Sequence, residues 1–291
     1  MNTSIKTSAA TASIISNVFL VIIKAIVGLA SNSVSILAEA IHSGVDLIAA
    51  LIAFFAVRVA DQPPDEAHAY GHGKYENISG TVEALLIIAA AFFIGYEAVK
   101  KLQHPEPINS GIGLIVMAVS AIANWLVSAR LFKVAKETDS IALEADGHHL
   151  RLDVYTSVGI FVGLFVAYMF RTSWQGAIYI DPVLGLGVAV WIGWIGLQLS
   201  GKALGPLLDL QLPMVEVERI AEIIHEEPGV LGFHKLRTRK SGAHRHVDVH
   251  IIVPHDMTLF DAHELAECVE DKIRAEFRNV FVLTHVEPEY E

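Results

Sequence analysis

Six long apolar runs constrain this chain more than any other feature of its sequence. About 20 consecutive apolar residues is the length that an α-helix needs to cross a membrane. Hydrophobic residues make up 53% of the chain and charged residues 18%, and the mean hydropathy is +0.47, which is too apolar for a soluble protein of 291 residues. The runs predict six transmembrane helices, near residues 9–30, 34–59, 79–101, 111–135, 140–170 and 177–200.

The pattern changes after Gly201, where short amphipathic segments rich in His and Glu replace the long apolar runs. We therefore expect a transmembrane domain over residues 1–205, a junction over 206–211 and a soluble domain over 212–291. Such a chain is an α-helical membrane protein with a C-terminal α+β domain.

The soluble domain has a periodicity that predicts the order α-β-β-α-β. The five elements are expected near residues 213–227, 231–239, 244–253, 258–277 and 281–287. In the second strand, alternate apolar residues should face the core, namely Val247, Val249 and Ile251.

An even number of spans places both ends of the chain on one side of the membrane. Positive charges are concentrated on the cytoplasmic side of membrane proteins. The basic residues expected on the side of the termini are Lys6, Arg58, Lys74, Arg130, Lys133, Lys136 and Lys202. We therefore expect both termini in the cytoplasm, and we expect the first span to be retained because it lacks a small-residue cleavage site.

Charge and cysteine content exclude several classes of protein. The formal net charge of -11 argues against nucleic acid as a partner, since phosphate binding needs a concentrated basic surface. Cys268 is the single cysteine, which excludes an intrachain disulfide and a multi-thiolate metal cage.

A membrane metalloprotease would need the motif His-Glu-x-x-His. Here His263-Glu264 is followed by Glu267 where the motif has its second histidine. We therefore expect a protein that is not an enzyme.

Two of the apolar runs each contain a histidine followed four residues later by an aspartate: His42 with Asp46, and His149 with Asp153. Residues four apart lie on one face of a helix. Each ionisable side chain in a membrane costs roughly 2.5–3.5 kcal/mol, and a bound divalent cation compensates this cost. Two carboxylates and two imidazoles suit a tetrahedral zinc site. The alternative is that the two pairs make unrelated hydrogen bonds between helices.

Two further groups of polar residues are candidate metal ligands. In the loop after the second span, Asp65, His68 and His72 can converge in a turn that contains glycines, although a solvated, pH-responsive loop is the alternative. The soluble domain offers its own set of candidates: His234, His250, His263, His285 and Glu287. The alternative there is a row of histidines on a solvated face of the sheet.

Other acidic residues near the spans have simpler expectations. Glu83, near the start of the third span, is expected to reach the membrane interface. Glu144 and Asp146 lie one to two turns before His149, where they either line a route for cations or are solvated at the mouth of the helix.

These motifs resemble those of the cation diffusion facilitators, in particular the bacterial zinc- and iron-efflux branch. The likeness covers nearly the whole chain. Its most specific parts are the Asp65/His68/His72 loop with Tyr70-Gly71-His72-Gly73-Lys74, then Glu144-Ala145-Asp146 followed by His149 and Asp153, and Leu236-Arg237-Thr238-Arg239.

The resemblance implies an antiporter in the bacterial inner membrane that moves a divalent metal out of the cytoplasm against an inward flow of protons. It implies that the paired His and Asp residues form the transport site and that the loop residues form a second site. The soluble domain would be a cytoplasmic, metallochaperone-like domain with a binuclear zinc site, in which Glu287 replaces a common aspartate. A membrane-anchored metal sensor or storage protein without transport is the rival interpretation.

The same resemblance implies a homodimer held together near a salt bridge between Lys74 and Asp209. It also bears on the transported ion, because several members of this branch have aspartate where this chain has His42. A nitrogen ligand in place of an oxygen favours zinc over manganese or ferrous iron. Since only neutral imidazole binds a metal and its pKa is near 6.5, protons and zinc should compete for the site.

Overall fold

The long apolar runs form helices in the computed structural model, which describes residues 2–30, 34–103, 112–170 and 179–289. Six helices are described before the soluble segment: α1 (Asn2–Ala30), α2 (Val34–Ala60), α3 (Lys74–Gln103), α4 (Ile112–Thr138), α5 (Ile141–Phe170) and α6 (Ile180–Leu207). The prediction of six helices is therefore confirmed. The first residue of the predicted fourth span and the first two of the sixth, at 111 and 177–178, lie outside the described residues.

Several helices extend beyond the apolar runs that predicted them. α1 begins at Asn2 and α3 at Lys74, because the polar turns at their starts form buried ion pairs. The Lys6 ammonium lies 2.7 Å from Oε1 of Glu76 and 3.0 Å from Oδ1 of Asp61. An apolar window cannot detect such turns, since their stability comes from charge pairing between helices.

The helices pack through small residues and apolar side chains. By length and composition, three segments of the described residues are apolar enough to cross a membrane: Ser4–Val27, Lys74–Lys100 and Ala118–Thr138. α1 contacts α2 and α4, and α5 contacts α4 and α2. α6 approaches α3 closely at Gly196, where an added Cβ would lie 2.8 Å from Cγ1 of Ile88. Close approach at small residues is typical of helix packing in membranes.

The chain divides into two units, with the helical unit spanning residues up to Gly71 and Tyr75–Leu204. The second unit comprises Gly205 onward together with His72–Lys74. Its elements are α7 (Met214–His225), β1 (Gly232–Ser241), β2 (His244–Val253), α8 (Leu259–Glu276) and β3 (Val280–Pro288). The predicted α-β-β-α-β order is confirmed, and each boundary lies within two residues of its expected position.

The second unit is a three-stranded sheet in the order β1-β2-β3, with helices on one face. β1 and β2 are antiparallel, whereas β2 and β3 are parallel and joined through α8. Val247, Val249 and Ile251 of β2 are buried against both helices, as their alternation predicts. Thr258 caps α8, since its side chain accepts a hydrogen bond from the Asp261 N–H.

His246 of β2 is a buried histidine in the sheet of the second unit. Its side chain is buried and stacks on Phe281, with ring centroids 5.2 Å apart and planes 18° apart. Burial lowers the pKa of His246, and the positive charges of Arg239 and His244 lower it further, while Asp248 opposes them.

This burial predicts a pH-dependent stability. Because the folded pKa of His246 lies below the unfolded value of about 6.5, its contribution is complete above that pH and is lost as the pH falls toward the folded pKa. We expect His246→Phe to flatten the acid side of a melting-temperature profile of the purified protein. The exposed His225→Phe is the matched control, and an identical profile for both variants would contradict the prediction.

Candidate metal centre

The helical unit brings together three of the four metal ligands that were predicted in the transmembrane helices. Asp46 of α2 and His149 of α5 are buried, and Nε2 of His149 lies 2.8 Å from Oδ1 of Asp46. Asp153 follows one turn later on the same face of α5, and ligand atoms of all three residues lie within 4.8 Å of one another. His42 is on α2, but its side chain lies outside the described part of the chain.

Neighbouring polar side chains orient this cluster. Nδ2 of Asn124 on α4 donates to Oδ2 of Asp153 at 3.3 Å. Nδ2 of Asn17 on α1 donates to the main-chain oxygen of Asp46 at 3.5 Å, which is a weak contact. Hydrogen bonds to metal-ligating carboxylates fix their direction, so Asn124 is suited to hold Asp153 toward the cluster.

The chemistry of this donor set fits a divalent cation. Two carboxylates balance the charge of the ion, and the imidazole adds a borderline nitrogen ligand. The short contact between His149 and Asp46 can be completed by a proton or by a metal ion. When the ring carries a proton on Nε2, that N–H donates to Oδ1 of Asp46. A cation bound at that nitrogen would displace the proton.

The loop between α2 and α3 brings Asp65 and His68 together. Oδ1 of Asp65 accepts hydrogen bonds from the main-chain N–H groups of Ala67 at 3.0 Å and His68 at 2.6 Å. Nδ1 of His68 lies 3.2 Å from the same oxygen, so these two residues are close within the helical unit, whereas His72 belongs to the second unit. The turn requires Gly71, whose φ of +80° is readily adopted by glycine alone.

In the second unit, Glu287 of β3 lies between two histidines. Its Oε1 is 2.7 Å from Nδ1 of His250 and its Oε2 is 2.9 Å from Nε2 of His234. His285 lies further out, with Nε2 3.7 Å from Oε1 of Glu287. The hydrogen bond from His250 lowers the pKa of Glu287, which favours the charged form of this carboxylate.

The extra methylene of Glu287, compared with aspartate, therefore leaves the carboxylate in reach of both imidazoles. A register shift in β1 between His234 and Arg237 accompanies the cluster, and Lys235 within it has a φ of +50°. Such bulges often redirect a side chain beside a functional site.

Within one chain, the structure does not bring His263 to this cluster. His263 lies on α8, with Nε2 3.5 Å from Oε1 of Glu267, and is largely exposed. α8 packs on the sheet face that carries Val247 and Val249, whereas the cluster lies on the opposite face. His263 therefore has no contact with His234 or Glu287 among the contacts described within this chain.

Comparison with known proteins assigns the family. Residues 10–208 match the cation efflux transmembrane domain, and residues 212–289 match the cytoplasmic domain of cation efflux proteins. This chain belongs to the cation diffusion facilitator family. The two matched regions cover most of the chain, so the suggested resemblance is confirmed.

Curated relatives agree with this family over most of their length. An uncharacterized transporter of Synechocystis is 37% identical over 261 residues, which is 89% of this chain and 82% of the relative. The cation-efflux pump FieF of Cronobacter sakazakii is 35% identical over 281 residues, covering 96% and 92% of the two chains. FieF of Yersinia pestis is 34% identical over 285 residues, covering 98% and 93%.

Among solved structures, one of CzrB is 33% identical and covers 27% of this chain and 99% of its own, with a TM-score of 0.27. Membership in the family makes this cation diffusion facilitator an integral membrane transporter that exports cations, and these relatives are named as transporters and pumps, not as enzymes.

The expected salt bridge of this cation diffusion facilitator is present in the second unit. Nζ of Lys74 lies 3.0 Å from Oδ1 of Asp209, and Nη1 of Arg239 lies 3.3 Å from the same oxygen. The hydrogen bond from Lys74 lowers the pKa of Asp209, with Arg239 adding to the effect. Sequence reasoning missed Arg239 as a partner, although it ends the Leu236-Arg237-Thr238-Arg239 motif.

Two acidic residues, Glu83 and Asp146, are buried within the helical unit. Glu83 is fully buried instead of reaching the membrane interface. Asp146 is also fully buried, which excludes solvation at the helix mouth, one of the two alternatives for this residue. Their apolar neighbours Ala84 and Ala145 pack in one core cluster between α3, α5 and α6. The only signal in the sequence was an acidic residue inside an apolar run, which does not tell which helix it faces.

The group of His234, His250 and Glu287 in the second unit, the tail cluster, generates a direct test. We expect Glu287→Gln to weaken zinc binding to the purified protein by at least about tenfold, because the amide loses the charge that balances the ion. All the proteins that are compared carry Asp153→Ala, so that the membrane cluster does not contribute to the measured binding. Isothermal titration measures the affinity.

Glu289→Gln is the matched control, since this exposed residue lies two positions away and its substitution removes the same charge. Equal zinc affinities for the two variants would contradict a role for Glu287 as a ligand.

Proposed function

We propose that this cation diffusion facilitator exports zinc from the cytoplasm in exchange for protons. The observation that carries the proposal is the cluster of Asp46 and His149, which are buried, with Asp153, which is half-buried. Its residues come from two helices far apart in sequence. In lipid such charges are costly unless an ion or a proton neutralises them. Because such a site must be neutralised in every state, it is suited to exchange a bound metal ion for protons.

The identity of the ligands supports zinc. His149 provides a nitrogen donor, and His42 on α2 is the proposed fourth ligand by its spacing from Asp46. Two nitrogens with two oxygens favour zinc over the harder manganese ion. The absence of cysteine from this ligand set agrees with a site that releases its ion.

The coupling to protons follows from the contact between His149 and Asp46. When zinc leaves, a proton taken up at Nε2 of His149 restores the hydrogen bond to Asp46 and balances one of the two carboxylate charges, and a second proton balances the other. Protons arriving from the far side of the membrane would therefore promote release of zinc there.

The remaining sites have proposed roles outside this exchange. We assign transport to residues 1–205, connection to residues 206–211 and regulation to the cytoplasmic residues 212–291. The loop residues Asp65, His68 and His72 form a second metal site, and the tail cluster binds structural or regulatory zinc.

The proposed assembly is a homodimer in the bacterial inner membrane, with both termini in the cytoplasm. The bacterial origin of the relatives supports this location.

Transport in reconstituted vesicles tests the exchange. Zinc uptake driven by a pH gradient should fall to the level of protein-free vesicles in Asp153→Ala, because a carboxylate that balances the ion is lost. Glu137→Gln, an exposed acid at the end of α4, should transport normally. If the wild-type protein binds zinc without moving it, the chain is a membrane-anchored sensor or storage protein instead.

Selectivity is tested at His42. We expect His42→Asp to raise manganese flux relative to zinc flux by about tenfold, since an oxygen donor replaces a borderline nitrogen. Flux of each metal is measured in the same vesicles. An unchanged ratio of the two fluxes would contradict the assignment of His42 as a selecting ligand.

A further inference from the structure

Two carboxylates outside the proposed transport site are buried without a partner. Glu83 of α3 and Asp146 of α5 are both 0% exposed. Among the residues that the structure describes, neither carboxylate has a hydrogen-bond partner at either oxygen. An ionised carboxylate in such surroundings is strongly destabilising unless something neutralises it.

The two carboxylates act on each other and on the metal cluster. Glu83 and Asp146 interact electrostatically across the boundary between α3 and α5. Asp146 also interacts with His149 and Asp46. On α5, positions 146, 149 and 153 share one helix face, so Asp146 continues the row of ligands by one turn.

The described basic side chains near this end of the helices are engaged elsewhere. Lys6 pairs with Glu76 and Asp61, and Lys202 pairs with Glu144 at 2.7 Å. The Ser13 hydroxyl lies near Asp146 but outside hydrogen-bonding geometry. A hydroxyl contact of this kind would not balance two negative charges.

We infer that Glu83 and Asp146 form a second cation site within the helical unit, which holds a divalent metal ion on its way to the Asp46, His149 and Asp153 cluster. Two carboxylates balance one divalent ion completely, whereas one shared proton leaves a negative charge buried. Oxygen ligands alone suit an ion that keeps part of its water shell. The ion would exchange that water for the imidazole of His149 one turn further along α5.

This inference rests on the proposed zinc export, because a relay site has a purpose only if the ion moves. It adds a step that the transport site alone does not contain. The ion would first meet two hard, weakly selective ligands, and the nitrogen ligands would select it afterwards.

The test uses Glu83→Gln and Asp146→Asn in the full chain, with Glu137→Gln as the exposed control. Zinc uptake into vesicles is measured against zinc concentration at several pH values, and zinc bound to purified protein is measured by equilibrium dialysis. For Glu83→Gln we expect KM for zinc to rise about tenfold, with the maximal rate within about twofold of wild type. We expect one fewer ion bound at saturation.

Stability provides a separate readout. An amide is less costly than an unpartnered carboxylate in an apolar site, so Glu83→Gln should melt at the same or a higher temperature. A lower melting temperature with an unchanged KM would assign the two residues a purely structural role and overturn the inference.

Two other results would also overturn it. A shifted pH profile with unchanged zinc binding would mean that the pair carries protons, and unchanged KM and binding would mean that it carries neither ion. If the wild-type protein moves no zinc, the proposed function fails, but equilibrium dialysis still decides whether Glu83 and Asp146 bind the metal.

Discussion

Charge compensation inside an apolar helical unit is the constraint on which the rest of the structure depends. Asp46 and His149 meet this constraint through a 2.8 Å contact between α2 and α5. Because either a proton or a metal ion can complete that contact, the pair tolerates two chemical states at one location. This tolerance is the physical basis of the proposed exchange of zinc for protons.

Other buried charges in the same unit show two different solutions. Lys6 pairs with one oxygen of Glu76 and one oxygen of Asp61, which produces a fixed contact between protein groups. Glu83 and Asp146 have no such partner among the described residues and lie next to the exchangeable cluster. A permanent pair stabilises a packing arrangement, whereas an unpaired group of carboxylates is available to a mobile ion.

The second unit uses similar ligands in a wetter environment. Glu287 bridges His234 and His250 on an open face of the sheet, while the apolar face of β2 packs under α7 and α8. Solvent access lowers the cost of leaving this site empty, so its occupancy can follow the metal concentration. Such a site is suited to regulation, and the buried cluster of the helical unit is suited to transfer.

The sequence by itself determined the six helices, the α-β-β-α-β order and the spacing of the His and Asp pairs, because these depend on local periodicity and composition. It also indicated Asp65, His68 and His72, which are close along the chain. Only the tertiary structure placed Asp46 against His149, buried Glu83 beside Asp146, added Arg239 to the Lys74 and Asp209 pair, and separated His263 from the tail cluster. Those outcomes depend on which faces of distant elements pack together, and helical or strand periodicity in one sequence does not specify the partner of a face.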